Sequence, residues 1–281
     1  MSIFAYIDRS RFADSVWRHA VWAAKQLNLP IEIIHVLDHP FVGAHNDYSA
    51  RLTLDASDAA IEERVRFDAE QNRILIAGGR LLLDTVTASV RAEGIDQVSQ
   101  RLFQGSVLDH LQQHVNEATI VIVGKRGEGA NQDSQHLGRN IERVVREAHR
   151  PVLIAEAQFS PPRAATIAWD TGKSSGEAIH FLAMRPLLRG MHTKLLHISD
   201  GQHVPPALHD AKAHLQGSGL TVEIDIRPGA VTESILAGAD EHGSQLLVIG
   251  AYGHSRIRHL VVGSTTTEIL MRATSSVLVF H

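Results

Sequence analysis

The residues of this chain best suited to chemistry stand in one stretch, Gly250-Ala-Tyr-Gly253-His-Ser-Arg-Ile-Arg-His-Leu-Val-Val-Gly263-Ser264-Thr265. Two glycines flank two residues, nine more follow, and then comes Gly-Ser. Glycine lets a backbone approach an anion closely, and unpaired N–H groups at a helix start point at it. Ser264 and Thr265 add hydroxyl donors. The chemistry this suits is the holding of phosphate. The frame agrees: residues 246–249 are an apolar run that reads as a buried strand. Residues 266–273 read as a helix, with Thr265 and Glu268 at capping-box spacing. His254, inside the loop, either touches phosphate or faces water. Arg256 and Arg258 are placed to steer an anion toward it.

An altered copy of this stretch lies earlier, as Gly124-Lys-Arg-Gly127, then ten residues to Gly138 and Arg139-Asn140. The hydroxyl is gone and the spacing has slipped by one. Lys125, Arg126 and Arg139 could attract an anion, but a packed, empty pseudo-site is the favoured reading. Gly172-Lys173-Ser174 has the tail of a phosphate-binding Walker loop, yet Ile167 stands where that motif needs a glycine. It reads as a polar turn and helix cap. There are 18 histidines. His35, His39 and His45 follow one strand, and His197, His203 and His209 another. With Asp38 or Asp200 they would be enough for zinc, but the spacing matches no standard ligand pattern. His35 and His197 lie within apolar strands and read as core histidines, so no metal site is assigned. No Ser/His/Asp order or paired-acid motif argues for a catalytic residue.

The elements that must carry these residues alternate. Residues 3–7, 31–37, 98–103, 119–123 and 152–155 read as strands, near-continuously apolar, as in a parallel sheet covered on both faces. Helices fit 14–27 and 138–148, and Ser106 with Asp109 caps another. A long helical stretch at 57–93 is placed to cover one sheet face rather than to bind a partner; Gly78-Gly79 reads as a break in it, and Gly94 as its end. Ser160-Pro161-Pro162 is a linker signal. The pattern then restarts, with strands at 165–169, 194–198, 221–226, 246–249 and 276–280. Asp8 and His35 match Asp170 and His197 at an offset of 162, whereas residues 152–154 match 277–279 at 125. The first half therefore carries about 38 extra residues between its second and third strands. Two βαβ-type domains follow, with ligands expected at the carboxyl ends of strands.

The 281 residues allow one large domain or two modest ones. A formal net charge of -4 gives no ground for general nucleic-acid binding. There is no cysteine, which excludes disulfides, thiolate zinc sites and a cysteine nucleophile, and which fits the cytoplasm. No signal-peptide core precedes Asp8, and no apolar run could span a bilayer.

Both halves resemble domains of the universal stress protein family. The resemblance rests on the loop at 250–265, on Asp8 and Asp170 ending the first strands, and on the second strands Ile33-Ile34-His35-Val36 and Leu195-Leu196-His197-Ile198. It rests also on the closing runs at 150–154 and 276–279. It implies two tandem Rossmann-like α/β domains, each a five-stranded parallel sheet with helices on both faces. They would span 1–158, with the helical insertion at about 50–93, and 163–281. It implies ATP with a divalent ion, magnesium or manganese, in the second domain. Asp170 would lie near adenine or ribose and Ile198 on adenine, with Gly250, Gly253, His254, Gly263, Ser264 and Thr265 at the phosphates. Asp8, Val36, Gly124, Gly127, Gly138, Arg139 and Asn140 would form the degenerate counterpart. The implied role is regulatory or protective, in a cytoplasmic stress response. A slow ATPase or nucleotide transferase, and a small-ligand module with vestigial loops, are the alternatives. The fifth strands should join the halves as an internal pseudo-dimer, and a homodimer of the whole chain is a further expectation.

Overall fold

A computed structural model describes residues 1–37, 58–128, 141–200, 204–251 and 263–281, the side chains of 58–65 apart. The first half runs β1 (Ser2–Ile7), α1 (Ala13–Leu27), β2 (Ile31–Leu37), α2 (Asp58–Ala92), β3 (Val98–Gln104), α3 (Val107–His114), β4 (Ala118–Gly124), α4 (Ile141–Glu147) and β5 (Val152–Ala155). The second runs β6 (Ala164–Ala168), α5 (Lys173–Met184), β7 (His192–Ile198), α6 (Pro206–Gly217), β8 (Thr221–Arg227), α7 (Val231–Glu241), β9 (Leu246–Gly250), α8 (Ser264–Arg272) and β10 (Ser276–Phe280).

The strands form one sheet in the order β3-β2-β1-β4-β5-β10-β9-β6-β7-β8. Neighbours are parallel within each half. Among the described residues only β5 and β10 pair antiparallel, and they join the halves as the sequence predicts. Leu153 faces Leu278, with Val152 opposite Val279 and Ile154 opposite Val277. Because Leu278 is the repeat of Leu153, a pseudo-twofold axis passes between them. All five residues of β10 and all four of β5 are buried. An apolar edge of this kind needs a cover, and each half covers the other. The core is shared on both sheet faces. One face gathers Ile3, Ile33, Leu153, Leu188 and Leu278; the other gathers Phe4, Ile34, Val121, Leu247 and Val279.

Polar contacts reinforce the join. Lys125 Nζ, at the carboxyl end of β4, pairs with Glu156 at 2.8 Å and donates to the Ala273 carbonyl at 2.7 Å. The Glu156 N–H donates to Ser276 Oγ at 3.1 Å. The capping box at the start of α3 forms as its spacing predicts: Ser106 Oγ accepts the Asp109 N–H, and Asp109 accepts the Ser106 N–H.

The expected break at Gly78-Gly79 does not occur; α2 is continuous over 35 residues. The glycines serve close approach instead. A Cβ at Gly79 would stand 2.8 Å from Leu102 Cδ1 and 2.9 Å from His35 Cδ2, and one at Gly78 would collide with the Arg9 guanidinium. The cost of helical glycine, about 1 kcal/mol each, is offset by seating α2 directly on the sheet. No helix among the described residues is long and apolar enough to cross a membrane.

Two histidines are buried without charge. His19 is 1% exposed, with Nδ1 2.8 Å from the Ser15 carbonyl, and burial pushes its pKa down to about 4. His110 is fully buried, with Nδ1 2.7 Å from the Tyr6 hydroxyl. Burial, aided by nearby His114, likewise takes it to about 4. Below the ordinary value of 6.5 the unfolded chain takes up protons that the folded chain refuses. Stability should therefore fall as pH drops from 6.5 to 4, by about 1.4 kcal/mol per pH unit for each histidine. Urea titrations across that range test this, with His19→Gln expected to shallow the slope; a flat profile would refute it.

Candidate functional site

The strand order reverses between β1 and β4 in the first half and between β6 and β9 in the second. A crevice opens at such a switch point, beyond the carboxyl ends of the strands. In the second half Asp170 follows β6, Gly250 ends β9, Ile198 ends β7 and Gly263 caps α8.

The Asp170 turn is built tightly. Asp170 Oδ1 accepts the Gly172 N–H at 2.9 Å and the Ser175 hydroxyl at 2.7 Å, which ties the strand end to the first turn of α5. Thr171 takes φ 63° within this turn. Gly250 packs on the same helix start: a Cβ there would lie 2.8 Å from Ser174 Cβ and 3.3 Å from the Ser175 nitrogen. Asp170 and the end of β9 thus sit side by side on α5. Ile198 is half-buried and packs against the cluster containing Leu196 and Ile249.

The two ends of the glycine loop are fastened together. The Ala251 N–H donates to the Phe280 carbonyl at 2.6 Å, and the Gly263 N–H to the Ala251 carbonyl at 3.3 Å. Thr266 Oγ1 donates to the carbonyls of Gly250 and Ala251 at 3.2 and 3.1 Å. The start of α8 is therefore held against the end of β9. Gly253, His254, Arg256 and Arg258 lie outside the described residues. Ser264 and Thr265 are exposed in the first turn of α8, whose cap, Gly263, supplies no side-chain hydrogen bond. The expected Thr265–Glu268 capping box is not formed. The helix begins at Ser264, so Thr265 is already inside its first turn. Glu268 turns outward, accepting from Thr232 Oγ1 at 3.0 Å and from Arg272 at 2.7 Å.

The first-half counterpart is arranged differently. Asp8 Oδ1 accepts the Ser10 N–H at 2.9 Å, and Oδ2 accepts the Glu128 N–H at 2.8 Å, so the loop after β4 folds onto the carboxylate. A Cβ at Gly127 would lie 3.2 Å from Asp8 Oδ2. Phe12 stands where the second half has Ser174: a Cβ at Gly124 would lie 2.6 Å from Phe12 Cβ. Phe12 is 3% exposed, with the Arg11 guanidinium 5.2 Å from its ring centre. The sequence held this signal, because the 162-residue offset that aligns Asp8 with Asp170 also aligns Phe12 with Ser174. Lys125 is engaged between the halves rather than turned to an anion. Val36 is half-buried near the end of β2. Gly138, Arg139 and Asn140 lie outside the described residues.

The two strand histidines pack as core groups. His35 Nδ1 lies 2.8 Å from the Ile7 carbonyl and His197 Nδ1 3.0 Å from the Trp169 carbonyl, the same strand-end contact in each half. His209 is exposed on α6; His39, His45 and His203 lie outside the described residues. Among the described residues no group of three acidic or histidine side chains could hold a metal ion. Lys173, in the sequence that resembles a Walker loop, is exposed and pairs with Glu177 along α5 at 3.3 Å.

The profile of the universal stress protein family matches residues 1–156 and again 161–281. Universal stress protein Slr1230 of Synechocystis sp. is 29% identical over 285 aligned residues, which cover 100% of this chain and 99% of that protein. Among solved structures, a universal stress protein from Archaeoglobus fulgidus superposes with a TM-score of 0.64 at 17% identity, covering 99% of this chain and 95% of its own. A putative universal stress protein from Pseudomonas aeruginosa gives 0.63 at 16%, covering 99% and 92%. At these identities the likeness of the structures concerns the fold.

The fastening of the loop gives a stability prediction. Thr266→Val keeps the shape of a buried side chain but removes the donor to two carbonyls. It should lower stability by about 1 kcal/mol and the thermal midpoint by about 2–4 °C. Ser264→Ala, at an exposed position, should change stability by less than about 0.5 kcal/mol. Thermal melts of the two variants should separate; equal midpoints would show that Thr266 does not hold the loop.

Proposed function

The chain belongs to the universal stress protein family, and on that footing we propose that its second half binds ATP and serves a regulatory or protective role in a cytoplasmic stress response. The observation that carries this reading is the convergence, at the switch point of the second half, of three parts. These are the Asp170 turn, the Gly250 strand end and the exposed first turn of α8. The donor set suits a polyphosphate: backbone N–H groups at a helix start, two hydroxyls and no carboxylate within that turn.

In this reading Asp170 lies toward the adenosine end and Ile198 offers an apolar surface to the base. Gly250, Gly253, His254, Gly263, Ser264 and Thr265 surround the phosphates. A magnesium or manganese ion would be held chiefly by phosphate oxygens, since the described residues supply no three-carboxylate or histidine cage. Bound there, the ion would neutralise phosphate charge. The units are residues 1–158 and 163–281. In the first, Asp8, Val36, Gly124, Gly127, Gly138, Arg139 and Asn140 form a pseudo-site. Phe12 against Gly124, and the Glu128 N–H on Asp8, support its exclusion of nucleotide.

The expected stoichiometry is one ATP per chain. Each charge-assisted hydrogen bond to phosphate contributes about 1.5–3 kcal/mol, so losing one or two weakens binding by about one to three powers of ten. Calorimetry on the wild type, Gly253→Val and Gly127→Val tests the assignment. The Gly253 change should abolish binding and the Gly127 change should leave it nearly intact. Two equivalent sites, or loss only with Gly127→Val, would overturn it.

A second reading, slow ATP hydrolysis or nucleotide transfer at the same site, rests on His254 as the candidate base within the loop sequence. Fast hydrolysis needs a base and a positioned water at the terminal phosphate, and Asp170 belongs to the other end of the nucleotide. Phosphate release should be absent or very slow. Turnover at ordinary enzyme rates, abolished by His254→Ala, would establish the enzyme instead.

A further inference from the structure

Helix α2 is much longer than the sheet it covers. Its 35 residues extend about 52 Å, against about 23 Å for the seven-residue strands β2 and β3 beneath it. Among its described side chains, only those of the carboxyl-terminal part are seated. From residue 66 onward, the first buried position is Gly79, followed by Leu83, Val86, Thr87 and Val90. On the far side of the same helix stand Phe67, Ile74 and Leu81, 60%, 56% and 68% exposed. They recur every seven residues, two turns apart, and so lie in one stripe. Leu81 is two residues before Leu83, about 200° round the helix, so the stripe points away from the sheet. Scattered exposed apolar side chains are normal. Here, however, three of the seven large ones found among the described residues share one ridge.

We propose that α2 is a dimerisation helix: two copies of the chain pair through antiparallel α2 helices, with Ile74 of one against Ile74 of the other. In that register Phe67 meets Leu81 of the second copy, twice over, as an isologous contact requires. The charges beside the stripe favour this direction, with two opposite-charge pairings each made twice against one approach of Arg73 to its own copy. Arg66, Glu70, Arg73, Arg80 and Asp84 are exposed along one flank, and antiparallel pairing brings like flanks together. Glu70 then falls about 3 Å along the axis from Arg80 of the second copy, and Arg66 the same distance from Asp84. Parallel pairing would instead set this flank against the opposite one, where Gln71, Gly78 and Thr85 carry no charge. The contacts these groups make within the chain leave them free to join: Glu70 reaches Arg73 only at 3.9 Å, and Asp84 engages Gln100 through one oxygen, Oδ1. The sheet offers no competing apolar edge at its centre, since β5 and β10 already cover each other.

The absence of cysteine from the chain makes the test direct. Ile74→Cys, on the twofold axis, should give a disulfide-linked dimer under mild oxidation. Phe67→Cys and Leu81→Cys should not do so singly, because each lies about 21 Å along the axis from its own copy, but should do so when combined in one chain. By analytical ultracentrifugation the wild type should show a concentration-dependent dimer. Glu70→Arg should weaken it about tenfold, and adding Arg80→Glu should restore it. All these positions are exposed, and circular dichroism checks that each variant folds. A wild type that stays monomeric at the highest concentration reached, or Phe67→Cys cross-linking as readily as Ile74→Cys, would overturn the proposal. ATP calorimetry on Ile74→Cys should match the wild type, which separates this result from that for the nucleotide site.

Discussion

The pairing of β5 with β10 about Leu153 and Leu278 governs the rest of the architecture. Two short, wholly apolar strands close the two half-sheets, and neither half can leave its last strand facing water. Antiparallel pairing satisfies both at once and fuses the cores on either face of the sheet. It also reverses the strand direction at the join. The carboxyl ends of the first half and those of the second therefore face opposite ways, and the two switch-point crevices are kept apart.

They have changed in the residues that approach the backbone most closely. At the end of β9, Gly250 meets the small side chain of Ser174, and the start of α8 remains exposed. At the end of β4, Gly124 meets the ring of Phe12, and the following loop donates to Asp8. The same glycine in the same frame thus has two uses. In one half it brings a helix start close to a strand end; in the other it accommodates an aromatic side chain from within the chain.

The repeat was legible in the sequence because parallel strands buried on both faces leave near-continuous apolar runs, and all ten strands lie where those runs place them. The frame of strand, glycine loop and helix start was legible for the same reason. Local patterns misled where tertiary contact set the outcome. Gly78-Gly79 has the look of a helix break, yet the space it leaves is taken up by His35 and Leu102. Thr265 and Glu268 have the spacing of a capping box, yet Glu268 is drawn away by Thr232 and Arg272 from α7 and α8. The role of Phe12 was hidden because its partner, Gly124, lies more than a hundred residues away. The outward stripe of α2 went unread because a helix that covers a sheet is expected to be polar on its other side.

Lys125 gives the first half a reason to persist. It belongs to the altered glycine loop, and its ammonium group rests on the Ala273 carbonyl, where α8 ends. A cation there complements the negative end of the helix dipole. The positive end of that same helix is the one turned to the crevice of the second half. The first half therefore braces, from behind, the helix whose start faces the crevice of the second half. The second half alone would keep that helix start and lose its backstop.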